Sequence, residues 1–359
     1  MSCSWQSWPE PVVPVQSLAQ SGIRSIPERY VKPPTDRPLT KNVDHDEAAE
    51  AAQLKIPVID FQHVFSEDQA LREETLGRIN SACREWGFFQ LVNHGVSHEL
   101  MKNAREVWRE FFYQPLELKK EYANTPTTYE GYGSRLGVEK GAILDWSDYF
   151  FLHFLPVPLR DQRKWPATPA NCRELISKYS EELVKLGGRL MKAFSVNLGL
   201  DEEHLTKAFG GDEDNLDVCM RVNYYPKCPQ PDLTLGLSPH SDPGGLTILL
   251  PDEDVAGLQV RKEDNWITIQ PYPNAFIINI GDQIKVLSNG IYQSVEHRVI
   301  VNSGKDRVSL AFFYNPKSDL PIGPSQELIT EEHPALFPTM SFNEYRKKIR
   351  TQGLYNKKK

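Results

Sequence analysis

His240 and Asp242 stand two positions apart in Ser238-Pro239-His240-Ser241-Asp242, and a second histidine, His297, follows in the β-rich run Ser294 to Val299. In an extended strand, positions i and i+2 point to the same side. The imidazole of His240 and the carboxylate of Asp242 are therefore expected to face one point. Two histidines and one carboxylate on one face of a metal, with the other positions open, are the ligand set of non-haem Fe(II) oxygenases. An H-x-D pair alone arises by chance. The competing reading is that His240 caps a turn beside Pro239 and His297 is a strand residue facing solvent.

A second constellation bears on that choice. Arg307-Val308-Ser309 reads as a strand, so a guanidinium and a hydroxyl share a face. Arg221, Asn223 and Tyr225 alternate with Val222 and Tyr224 and also share one. A planar guanidinium suits a carboxylate. A dicarboxylate that chelates a metal at one end needs a cation and hydroxyls for the other, and Arg307, Ser309 and Tyr225 meet that need. A metal-dependent hydrolase could use the same two histidines and aspartate, but it would have no use for Arg307 and Ser309. His94, in Asn93-His94-Gly95, reads as a structural turn residue and not as a ligand.

These residues need elements to hold them. From about residue 216, short runs recur between Gly, Pro, Asn and Asp: 218–225, 246–250, 258–261, 266–269, 275–280, 296–301 and 307–314. Strands at that spacing predict a β-sandwich or jelly roll. Before them lie helical patterns. Ser66 with Gln69 reads as a capping box ahead of a stripe from Leu71 through Thr75, Ile79, Ala82 and Cys83 to Trp86, closed by Gly87. Residues 88–92 read as a strand. A second stripe runs from Leu100 to Phe112, and a third opens at Asn171 and closes at Gly199. Residues 341–350 read as a basic amphipathic helix. The first 53 residues read as a loosely packed arm with one helix near 15–21.

The 359 residues predict two domains or one large domain with additions. Hydrophobic residues at 40% and charged residues at 25% are ordinary for a soluble globular chain. With 41 Lys+Arg against 48 Asp+Glu, the net charge of −7 argues against a nucleic-acid binder. No apolar run approaches the roughly 20 residues of a membrane span. The N-terminus shows no secretory signal pattern. The five scattered cysteines fit a reducing compartment. The expectation is a monomer of the cytoplasm, with the nucleus as a second compartment, binding neither nucleic acid nor membrane.

The motifs together resemble the plant 2-oxoglutarate- and Fe(II)-dependent dioxygenases. They are Asn223 to Pro231 (NYYPKCPQP), His240-Ser241-Asp242, Glu296-His297-Arg298 and Arg307-Val308-Ser309, with Ile56 to Asp60 and Trp86 to Val96 in the leading half. The resemblance covers about residues 10 to 352. It implies a mixed α/β (α+β) fold: a distorted double-stranded β-helix (jelly roll) core with flanking helices and a helical N-terminal region. The expected divisions are an arm (1–53), a helix-rich N-terminal domain (54–205), the jelly-roll domain (206–320), and a C-terminal helix and tail (321–359). It implies Fe(II) on His240, Asp242 and His297, and 2-oxoglutarate on Asn223, Tyr225, Arg307 and Ser309. O2 is the second cosubstrate, and ascorbate is a candidate reductant.

Within that family the chain most resembles the jasmonate-induced oxygenases, which hydroxylate jasmonic acid at carbon 12. The segments are Trp8 to Ala19, Tyr129 to Gly141, Asp145 to Tyr149, Ser238 to Leu250, and Arg346 to Gly353. The resemblance implies that Arg221, Arg346 and Arg350 hold the jasmonate carboxylate. Arg346 and Arg350 are i and i+4 on the last helix, with Phe342 one turn earlier. The competing reading places both arginines on a solvated basic face with Lys347 and Lys348. Phe151, Tyr149 and Phe313 are candidates for an apolar wall. Two functional alternatives are a flavonoid-type hydroxylase or desaturase on the same scaffold, and a catalytically silent hormone-binding relative.

Overall fold

The computed structural model describes residues 12–38, 55–125, 129–134, 141–212 and 215–352, with side chains through Ile349. In chain order its elements are α1 (Val15–Gln20), β1 (Val58–Asp60), α2 (Gln69–Glu85), β2 (Phe88–Val92), α3 (His98–Tyr113), α4 (Leu116–Lys120), β3 (Gly131–Gly133), β4 (Asp148–Leu155), α5 (Cys172–Asn197), α6 (His204–Phe209), β5 (Asp217–Tyr225) and β6 (Leu237–His240). There follow β7 (Leu246–Leu250), β8 (Leu258–Lys262), β9 (Asn265–Thr268), β10 (Phe276–Ile280), α7 (Asp282–Leu287), β11 (His297–Val299), β12 (Arg307–Asn315), β13 (Pro321–Ile322), β14 (Met340–Ser341) and α8 (Phe342–Gln352).

An eight-stranded sheet in the order β1-β2-β10-β7-β12-β5-β4-β3 and a four-stranded sheet β6-β11-β8-β9 form the expected jelly roll. Only the β1–β2 pair is parallel among these strands.

The period of two decides what each face does. On β5, the even positions Val218, Met220, Val222 and Tyr224 join the core under helices α2, α3 and α5. On β12, Val308, Leu310, Phe312 and Tyr314 do the same, as do Ile248 of β7 and Ile278 of β10. The helices bring Ile79, Trp108, Phe111, Tyr179, Leu183 and Phe194 to this layer. The odd positions of the same strands line a cavity between the two sheets. One face thus stabilises the fold, by about 1.5–3 kcal/mol per large apolar side chain, and leaves the other face available for chemistry.

Several local expectations are corrected. Helix α2 is capped by Asp68, whose carboxylate accepts the Ala70 and Leu71 amides, while the Ser66 hydroxyl accepts the Asp68 amide. Leu71 is exposed and does not belong to the buried stripe. Asn171 precedes α5 but sits at φ 67° and makes no side-chain cap. Strand β4 carries no alternation in its sequence. Its sequence, DYFFLHFL, is buried on nearly every position, and such runs carry no period-two signal.

The N-terminal arm is not loosely packed where it is described. Val15, Ile26 and Tyr30 are buried in a cluster with Trp146, Leu258 and Val299. The carboxylate of Asp148, fully buried at the start of β4, accepts the Val15 amide (2.8 Å), the Gln16 amide (3.0 Å) and the Tyr132 hydroxyl (3.3 Å). Asp148 is therefore the socket for the first turn of α1. Asp148→Ala strands two buried amides and is expected to lower stability by about 2–4 kcal/mol. Denaturant unfolding should show the loss, and hydrogen exchange should show α1 released before the sheets. A variant as stable as the parent would show that α1 is held elsewhere.

Candidate active site

The floor of the cavity is the pair of histidines and the aspartate. His240 ends β6, His297 begins β11, and the two are directly paired in register. The expectation that Asp242 lies in the same strand is corrected, because β6 stops at His240 and Asp242 follows in the turn. The turn nevertheless brings its Oδ1 to 3.6 Å from His240 Nε2 and 3.7 Å from His297 Nε2. The reading of His240 as a turn cap and His297 as a solvent-facing residue fails on this geometry, and His297 is buried.

Each donor is aimed by its neighbours. His240 Nδ1 lies 2.9 Å from the Ser238 carbonyl and His297 Nδ1 lies 3.2 Å from the Val295 carbonyl. A carbonyl only accepts, so Nδ1 carries the proton and the Nε2 lone pair points inward. Asp242 Oδ2 accepts from Thr247 Oγ1 (2.5 Å) and Asn279 Nδ2 (2.6 Å), which leaves Oδ1 facing both histidines. Burial pushes the His297 imidazole down to about 4, with His240 adding to the effect. Burial opposes ionisation of Asp242, but the two histidines and the Thr247 and Asn279 hydrogen bonds together hold its carboxyl low. Two neutral imidazoles and a carboxylate are the state a divalent metal requires. Their ligand atoms lie within 4.8 Å of one another, the one such cluster among the described residues.

Across the cavity the large sheet supplies the cationic wall. The register opposes Arg307 to Tyr225, Ser309 to Asn223 and Ala311 to Arg221. Arg307 is buried, lies over the Tyr225 ring at 5.2 Å, and donates from Nε to the Val255 carbonyl at 3.2 Å. Asp252 shapes that loop: it accepts the Asp254, Val255 and Val308 amides and pairs with Arg109 of α3 at 2.8 Å. Asp306 takes the hydroxyls of Tyr113 and Tyr224. Gly236 leaves room for Tyr225, since a Cβ there would lie 2.6 Å from its ring.

Arg307 Nη1, Arg221 Nε and Asn223 Oδ1 are buried and have no hydrogen-bond partner among the described residues. Buried polar atoms without partners call for an explanation, and a bound anion supplies one for both arginines. The chain's residues therefore fit Fe(II) on the floor and a dicarboxylate reaching toward Arg307.

The remaining candidates divide. Arg221 faces the cavity with its guanidinium 4.5 Å from the Tyr149 ring, and Phe313 lines the wall. Tyr149 lies behind Arg221 in an adjoining pocket with Ser147 and Leu144. Phe151 is paired with Arg221 in register and is not among the cavity-lining residues. Arg346 does not line the cavity. It pairs with Asp217 at 3.3 Å, donates to Ser318 at 2.7 Å, and covers Phe342, which is buried. Asp217 is on the same face of β5 as Arg221, so Arg346 stands at the end of the row. It is not on a solvated basic face. The Arg350 side chain lies outside the described residues. His94 is structural, as expected: it is buried between the Asn274 carbonyl and the Val96 amide.

Sequence reasoning missed Thr247, Asn279 and Asp252. Asn279 was the discoverable one, a lone amide in the otherwise apolar strand FIINI.

A sandwich of this topology with two histidines and an aspartate on its floor and a buried arginine across from them defines a non-haem iron oxygenase. The sequence profile of the 2OG-Fe(II) oxygenase superfamily matches residues 216–316, and that of the N-terminal region of non-haem dioxygenases in morphine synthesis matches 56–168. The chain belongs to the 2OG-Fe(II) oxygenase superfamily. It is 62% identical to jasmonate-induced oxygenase 1 of Arabidopsis thaliana over 97% of this chain and 85% of that protein. It is 42% identical to codeine O-demethylase of Papaver somniferum over 90% and 88%. A crystal structure of JOX2 in complex with 2OG, Fe and JA superposes with a TM-score of 0.87 at 60% identity, covering 97% of this chain and 96% of that one.

Proposed function

We propose that this chain is a 2-oxoglutarate- and Fe(II)-dependent hydroxylase that converts jasmonic acid to 12-hydroxyjasmonate and so lowers jasmonate signalling. The observation that carries the reading is Arg221. It is a cation with an unpartnered buried nitrogen in a cavity whose other walls include Phe88, Leu249, Ile277 and Phe313. Such a cavity selects an anion with an apolar body. Jasmonate, a carboxylate on an apolar frame, has that form. The similarity to jasmonate-induced oxygenase 1 and to JOX2 with JA supports the same choice.

The roles follow from position. His240, Asp242 and His297 hold the iron, and Thr247 and Asn279 fix which carboxylate oxygen faces it. Arg307, with Ser309, Tyr225 and Asn223, binds the distal carboxylate of 2-oxoglutarate and sets its register against the floor. Iron with 2-oxoglutarate supplies the oxygen activation that C–H hydroxylation needs. Arg221 receives the substrate carboxylate together with Arg346 of α8, and the family resemblance gives Arg350 the same role. Arg346 must then share its guanidinium between Asp217 and the substrate. The anchored carboxylate leaves the side-chain tail nearest the floor, so hydroxylation falls on the tail and not the ring. The jelly-roll division 206–320 forms most of the reaction chamber, and the helix-rich division 54–205 supports it and adds β1–β4 to the large sheet and Phe88 to the chamber wall.

The test is a competition among jasmonic acid, its methyl ester and a naringenin-type flavonoid, scored by succinate release and product mass. Losing a desolvated charge contact costs about 2–5 kcal/mol, so the acid should exceed the ester in kcat/KM by at least about thirtyfold. An ester that reacts as well as the acid, or preference for the flavonoid, would replace this reading with the flavonoid-type alternative. Binding of jasmonate without succinate would favour the silent relative.

A further inference from the structure

Helix α8 begins with a reciprocal cap. Ser341 Oγ accepts the Glu344 amide, and the Glu344 carboxylate takes both the Ser341 amide and its hydroxyl. This fixes the phase of the helix, and the next residue uses it. Tyr345 donates its hydroxyl to Asp282 Oδ2 at 2.7 Å. Asp282 is buried and opens α7 directly behind the floor of the cavity.

The same carboxylate oxygen accepts a second hydroxyl, Ser241 Oγ, at 3.2 Å. Ser241 is the residue between His240 and Asp242. The Asp282 amide in turn donates to the Asp242 carbonyl at 2.9 Å. Gly281 permits this approach, because a Cβ there would lie 2.3 Å from the Gly244 carbonyl. One buried carboxylate thus joins the ligand turn to the C-terminal helix, whose neighbouring Arg346 reaches the end of the substrate row.

We propose that Tyr345, Asp282 and Ser241 form a positioning relay that couples the seating of α8 to the geometry of the His240–Asp242 turn. A buried carboxylate that loses one of its hydroxyl donors is poorly compensated. A seated Tyr345 therefore favours the Asp282 orientation that braces Ser241, and an ordered ligand turn favours a seated α8. The coupling must run both ways with equal strength. Metal binding tightens a helix that touches no metal, and the helix tightens the metal. This rests on the oxygenase class of the site and not on the identity of the organic substrate.

The experiment uses the full chain with Mn(II) as an oxygen-stable probe and contains no jasmonate, so its failure is distinct from failure of the substrate assignment. Hydrogen exchange is followed over residues 342–349, and Mn(II) affinity is measured by titration. In the parent, Mn(II) should slow exchange in α8. Tyr345→Phe should speed exchange, remove most of the Mn(II)-dependent slowing, and weaken Mn(II) binding by about threefold to tenfold. Ser241→Ala, which removes the other hydroxyl donor to Asp282 Oδ2, should also speed exchange in α8. If Tyr345→Phe loosens the helix while Mn(II) affinity and Mn(II)-dependent protection stay at parental values, the contact is a local anchor and the relay is wrong. Parental exchange in Ser241→Ala overturns it equally.

Discussion

Asp242→Ala is expected to abolish turnover and to lower Fe(II) affinity by more than about 100-fold, a loss at least as large as that seen when only an outer-shell partner of a ligand is removed. The argument is one of shared geometry. Asp242 Oδ1 is the atom that both histidine Nε2 atoms approach, at 3.6 and 3.7 Å. Without it no pair of the remaining donors encloses a metal from three sides. The substitution also leaves Thr247 Oγ1 and Asn279 Nδ2 without their buried acceptor. His240→Ala and His297→Ala should fail in the same way. Asn279→Ala should be intermediate, weakening the metal about 10–100-fold with residual turnover, because it frees the carboxylate to rotate without removing it. Anaerobic Fe(II) titration separates these grades, and a folded spectrum by circular dichroism shows that the scaffold survives. Full Fe(II)-dependent activity in Asp242→Ala would refute the assignment of the floor.

Arg307→Ala should raise the 2-oxoglutarate requirement by about 30-fold to several thousandfold, the equivalent of about 2–5 kcal/mol for a desolvated charge pair. Arg307 is buried, and its Nη1 is free of protein partners among the described residues while Nε is tied to Val255. One edge of the guanidinium is thus spent on its own scaffold and the other is held ready. Arg307→Lys should recover only part of the loss, since an ammonium cannot tie down Val255 and bind a carboxylate with a planar fork together. Metal affinity without 2-oxoglutarate should remain near the parental value. An unchanged 2-oxoglutarate titration would show that the carboxylate is bound elsewhere.

Much of this site was legible because strands write their faces into alternate positions. Arg221-x-Asn223-x-Tyr225 and Arg307-x-Ser309 each predicted a shared face, and the register places them opposite one another. The same rule misassigned Asp242, where the strand had ended and a turn bounded by Gly244 and Gly245 took over the aiming. Helices α3 and α5 were readable from their stripes, whereas β4 was not, because it is covered on both faces. The packed arm was unreadable for a different reason. Its ties to Asp148 and to Asp145 through Lys32 span more than a hundred positions of chain, and no local pattern announces them. Arg346 was expected in the pocket but does not line it; its partner Asp217 holds it at the end of the row, and a single carboxylate in a strand carries no sign of what will reach it.

Strand β5 has a consequence for how such a chamber can change its chemistry. Side chains on one face of a strand recur every 6.4–6.8 Å or so, so Asp217, Arg221, Asn223 and Tyr225 mark fixed graduations along a ruler whose backbone is clamped by β4 and β12. The distance from a charged anchor to the reacting end is therefore set in whole steps and cannot be tuned continuously. A descendant that moves its anchor by one graduation would accept a molecule longer or shorter by that step, with the sheet unmoved. A one-residue insertion within β5 would have no such mild outcome. It would turn the charged row beyond it into the helical core and bring the apolar row into the chamber.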